Sequence, residues 1–138
     1  MKYIILVVLS SAILTLALSQ TKINQDICTV DISNVTVEQL TNDPPPDMTT
    51  GCFDKDFITK FLSSKERVVG VIECLHPEYP VCHKKGYEYI AEDMHRRVNN
   101  VGHCFDCTAR EIDLAIFALK LLYEKYPREL RIGLSYLG

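Results

Sequence analysis

Apolar side chains recur at helical spacing through most of the chain. Between Asp54 and Leu62, the residues Phe57, Ile58, Phe61 and Leu62 fall on one face, with Asp54 or Asp56 available as N-cap. Ser63 with Glu66 then reads as a capping box opening a second helix, whose apolar face is Val68, Val69, Val71, Ile72 and Leu75. Pro77 and Pro80 break that helix into a loop. A third helix is expected from about Gly86 to Val98, with Tyr87, Ile90, Ala91, Met94 and Val98 along one stripe. Its other side carries Glu88, Glu92, Asp93, Arg96 and Arg97, the pattern of a solvated face.

The segment after Cys107 has the strongest signal. Thr108 and Glu111 form a further capping box, and two apolar stripes follow. One runs through Ile112, Ala115, Ile116, Leu119, Leu122, Tyr123 and Tyr126; the other contains Leu114, Phe117, Ala118 and Leu121. Only Asp113, Lys120 and Glu124 remain as a polar seam, so this helix must be covered on most sides. Pro127 stops it or opens a short helix over Leu130 and Ile132. No strand pattern and no internal repeat is visible after residue 53. The expected fold class is all-α with short connections.

Upstream the pattern weakens. Thr29 to Ser33 alternates briefly, and Thr36 with Gln39 would cap a single helical turn before Pro44-Pro45-Pro46 ends it. Residues 20–52 therefore read as a leader appended to the helical domain, with its boundary at Phe53. Asn34-Val35-Thr36 is an N-glycosylation acceptor in a secreted chain.

The first residues set the compartment. Lys2 precedes an apolar run from Ile4 to Leu18, and Ala17-Leu18-Ser19 places small residues where a signal peptidase reads them. The run is shorter than the ~20 residues needed to span a bilayer. Residues 1–19 are accordingly expected to be a signal peptide, and the protein to be secreted and extracellular. Fifteen basic against eighteen acidic residues give a net charge of −3, which leaves no basic surface for nucleic acid. No stable membrane insertion is expected, and the expected state is a monomer.

Secretion governs the six cysteines, Cys28, Cys52, Cys74, Cys82, Cys104 and Cys107. An even number outside the cell favours disulfides, with 15 connectivities open to six cysteines. Zinc is the competing use, since Cys104 and Cys107 stand two residues apart within a Cys/His-rich stretch. A redox Cys-x-x-Cys site would need a preceding buried strand, and none is visible. Catalytic patterns are missing as well: there is no Gly-x-Ser-x-Gly elbow, no adjacent cysteine pair beside a histidine, and no glycine-rich calcium loop. The reading is a protein that is not an enzyme and carries no cofactor or metal.

Several of these residues fall in a recognisable arrangement. The spacing Cys74-x7-Cys82-x21-Cys104-x2-Cys107 resembles that of the arthropod chemosensory proteins, the OS-D family. Phe53-Asp54-Lys55 through Cys74-Leu75 is similar to that family's Tyr-Asp-Asn to Cys-Leu segment, and Gly86 falls at its Pro-Glu-Gly-Lys turn. Cys104-Phe105-Asp106-Cys107-Thr108 resembles its Cys-x-x-Cys-Thr, followed by the same long helix and a Tyr-Pro break.

The resemblance spans residues 53–131. It implies a compact bundle of about six helices around a hydrophobic channel that carries long-chain lipids, odorants or pheromones. It also implies the bridges Cys74–Cys82 and Cys104–Cys107, which leaves Cys28–Cys52 as the third. For such a carrier the candidate lining is Phe61 and Leu62, Val71 and Ile72, then Ile90 and Met94. From the long helix come Ile112, Ile116, Leu119 and Tyr123, the last with a hydroxyl for a polar head group. Two other classes compete: a helical interaction or structural protein without a ligand, and a saposin-like membrane-active domain.

Overall fold

The computed structural model describes residues 28, 30–46, 48–99, 103–104 and 107–137. The expected signal peptide lies outside these residues. The described fold is all-α. A 3-10 turn at Ile32–Asn34 leads to α1 (Val37–Asn42), and a second turn at Thr50–Cys52 leads to α2 (Lys55–Phe61). Then come α3 (Lys65–Cys74), α4 (Lys85–Arg97), α5 (Ala109–Lys125) and α6 (Pro127–Leu137). Between α4 and α5, Val98–Asn99 pairs antiparallel with His103–Cys104, a minimal ladder that leaves the helical class unchanged.

The local signals act largely where the sequence puts them. Thr36 Oγ1 accepts from the Gln39 amide at 3.0 Å to start α1, which runs only to Asn42 before the prolines. Asp54, rather than Asp56, caps α2 through the Phe57 amide at 2.7 Å. Thr108 and Glu111 complete the reciprocal capping box of α5.

One start signal is displaced by a residue. Ser64 caps α3, not Ser63, because the Ser63 hydroxyl donates to the Lys60 carbonyl at the end of α2. Arg67 reaches back to the same place, its Nε donating to the Phe61 carbonyl at 2.7 Å and its guanidinium also to that of Lys60. The orphan carbonyls of α2 are thus satisfied by the first turn of α3. The corner between the two helices is fixed by hydrogen bonds.

Helix α6 is longer than the short piece expected after Pro127. Proline at the first helical position loses no needed N–H, and the helix continues for 11 residues. It packs on α5 and α3, while α2 packs on α5 and α4 packs on both α3 and α1.

The core does not divide at residue 52. Leu40 of α1 has no exposed surface, and with Val35, Met48 and Cys52 it joins Phe57, Phe61 and Leu75 in one cluster. Gly86, at the start of α4, lies directly beneath the backbone of Leu40 and Thr41. The segment read as an appendage therefore supplies part of the packed interior, through a helix too short for its periodicity to stand out.

Two bridges pin the bundle. Cys28–Cys52 ties the first described residue to the turn before α2, with Cα atoms 5.3 Å apart. Cys74–Cys82 closes the loop after α3 at 4.6 Å. Cys107 is also disulfide-bonded, while the side chain of its expected partner Cys104 lies outside the described residues.

A cavity between the helices

Between α2, α3, α4, α5 and α6 lies a cavity of about 300 Å³. That volume is at the lower end of the range for small-molecule sites. Each helix contributes the apolar side its periodicity marks. Phe61 and Leu62 come from the end of α2, Val71 and Ile72 from α3, and Ile90 and Met94 from α4. Ile112, Ile116 and Leu119 come from α5. Nine of the ten candidate lining residues thus meet at one space.

Tyr123 is the exception. Its side chain is outside the lining, and the residue is 45% exposed. Position 123 continues the stripe of Ile112, Ile116 and Leu119 in sequence, but Leu122, one residue before it, is the last position of α5 in the described lining. A hydroxyl there is not placed to meet a ligand head group.

The two stripes of α5 have separate tasks. Ala115, Ile116, Leu119 and Leu122 face the cavity, whereas Phe117 and Leu121 pack against the core cluster. Leu114 and Ala118 serve both surfaces. A helix with a filled core on one side and a ligand-sized space on another needs apolar residues around most of its circumference.

Helix α6 supplies a wall that the sequence reading left out. Leu130, Leu134 and Leu137 line the cavity at i, i+4 and i+7, and buried Gly133 lets α6 approach Ile72. The leucine spacing was available as a signal. It was obscured by Ile132, which lies off that stripe and is exposed. Tyr136 adds an anchor outside the cavity, its ring 4.9 Å from that of His76 in the loop after α3.

Polar groups in the described lining are few: Thr50, Asp93, Glu111 and Glu129. Thr50 donates its hydroxyl to Asp93, which is buried in α4 despite belonging to the face expected to be solvated. Glu111 accepts from the Thr108 amide and hydroxyl through Oε1, and its carboxyl lies against Gly51. Glu129 pairs with Lys65 at 3.7 Å. The buried position of Asp93 could not be read from helical spacing, because the turn that covers it comes from the leader.

The histidines with described side chains stand elsewhere. His76 Nδ1 accepts from the amides of Glu78 and Tyr79, His83 pairs with Glu73, and His95 contacts the Leu75 carbonyl at 3.0 Å. Among the described residues no cluster of three or more His, Cys, Asp or Glu is arranged to hold a metal. Asn34 of the glycosylation acceptor is exposed.

No described helix is long and apolar enough to cross a membrane. Comparison with protein families, with curated proteins and with solved structures finds no match. The class that the fold and the cavity define is a disulfide-stabilised helical bundle with an apolar internal site.

Proposed function

We propose that the protein is a secreted carrier that holds a long-chain hydrophobic molecule in the cavity between its helices. The observation that carries this reading is the cavity itself, carbon-lined on five helices and built from residues whose periodicity already exceeded the needs of a core. Side chains facing such a space forfeit dispersion contacts that an apolar occupant restores. Each buried methylene is worth ~0.8 kcal/mol, so about ten of them reach the ~8 kcal/mol of micromolar binding without any reactive group. The resemblance to the arthropod chemosensory proteins supports the same reading, and so do the signal-like first 19 residues and the disulfides.

The test is displacement of a fluorescent hydrophobic probe from the purified, oxidised protein. Long-chain compounds are expected to displace it at micromolar concentration or below. Ile116→Asp is expected to abolish displacement, with circular dichroism establishing that the variant is folded. A folded wild type that takes up no long-chain alcohol, amine, ester or acid would instead favour an interaction protein whose helices only pack.

A further inference from the structure

Resting on the carrier reading, the size of the cavity and one residue in its wall bear on which ligand fits. A methylene takes much the same share of liquid volume as a water molecule, about 30 Å³. The cavity of about 300 Å³ then has room for an apolar chain of about ten carbons. A sixteen-carbon chain would need about 60% more space, and close-packed helices yield room only with strain.

Small residues help to keep this space open. Ala115 and Ala118 of α5 and Gly133 of α6 belong to the lining. Gly133 differs from the glycines that the fold requires. At Gly51, Gly70 and Gly86 an added Cβ would press on a neighbouring side chain or on backbone. At Gly133 it would stand 3.4 Å from Ile72 Cγ1 and 3.8 Å from Cδ1, which is ordinary van der Waals contact. No third described atom from outside α6 comes within 4 Å of it. The position is buried helix, so no left-handed conformation calls for glycine either. Glycine here forgoes the helix stability that alanine would supply. What it leaves is room beside Ile72, which lines the cavity as well.

We propose that the cavity is gauged for an unbranched apolar chain of about ten carbons, and that Gly133 sets the length it accepts. Each carbon added at position 133 takes the place of about one carbon of ligand.

The experiment measures displacement of the fluorescent probe by straight-chain primary alcohols from hexanol to tetradecanol, each below its solubility limit. In wild type, affinity is expected to rise about fourfold per added carbon as far as about ten carbons, and then to level or fall. Gly133→Ala is expected to keep or raise the melting temperature and to move the break about one carbon shorter. Gly133→Leu, verified as folded by circular dichroism, should move it by about four carbons. It should weaken decanol more than about tenfold while leaving hexanol within about twofold. A purely structural role for Gly133 would weaken every chain length alike. Affinity that keeps rising through tetradecanol, or a break that stays in place in the variants, would overturn the gauge and leave the carrier reading standing. A lower melting temperature for Gly133→Ala would overturn the assignment of Gly133, by showing that packing requires the glycine. If Gly133→Leu does not fold, the alanine variant decides. Failure of every alcohol to displace the probe would remove the gauge and the carrier reading together.

Discussion

The ring of Tyr87 fills a notch in α3 that exists because position 70 is glycine. Any Cβ at Gly70 would overlap the ring, so the α3–α4 contact depends on this pairing of the smallest residue with a large one. Burial pushes the Tyr87 hydroxyl above its ordinary pKa of 10.0; Glu66 adds to the shift and Arg67 opposes it. The folded state therefore holds this proton more tightly than the unfolded chain. The corresponding stability is fully present below about pH 10 and is lost as pH rises through the higher folded value. Thermal melts at increasing alkaline pH should show wild type losing stability faster than Tyr87→Phe. Parallel loss in the two proteins would mean that Tyr87 does not govern this response.

At the scale of elements, the meeting of α1 with α4 is the least forgiving contact. A Cβ on Gly86 would strike the Leu40 carbonyl and the Thr41 backbone, neither of which can swing aside as a side-chain tip would. Alanine in place of glycine favours a helix by up to about 1 kcal/mol. Overpacking typically costs 1–3 kcal/mol, and backbone is the worst neighbour to displace. Gly86→Ala is therefore expected to lower the melting temperature by several degrees, although helix propensity alone predicts a rise. An unchanged or higher melting temperature would show that α1 gives way easily. The sequence placed Gly86 at the head of α4 within a residue, since Lys85 begins the helix, but could not show what crosses above it. The same limit explains Asp93: spacing along α4 marks a polar face, and only the Thr50 turn turns that position inward.

For the whole molecule, the sharpest question is whether residues 53–138 fold alone. Composition argued that they do, because every long helix lies there. The packing argues otherwise. Removing a buried leucine such as Leu40 typically costs 2–5 kcal/mol, and loop-closure entropy puts the Cys28–Cys52 bridge at about 3.5 kcal/mol. Together these approach the 5–15 kcal/mol that holds an ordinary domain together. A chain starting at Phe53 is expected to melt without a cooperative transition, or far below the full-length protein, when followed by circular dichroism. Retention of the full melting temperature would restore residues 20–52 to the status of an appendage. The sequence by itself determined the all-α class, the caps at Thr36 and Thr108, and the residues that become nine positions of the cavity wall. These depend on hydrogen bonds and periodicities within a few residues. Only the tertiary structure decided that α1 is core, that α6 lines the cavity and that Tyr123 lies outside it. Those features are set by which helices cross and how closely. That depends on contacts between residues distant in the chain, which local spacing does not encode.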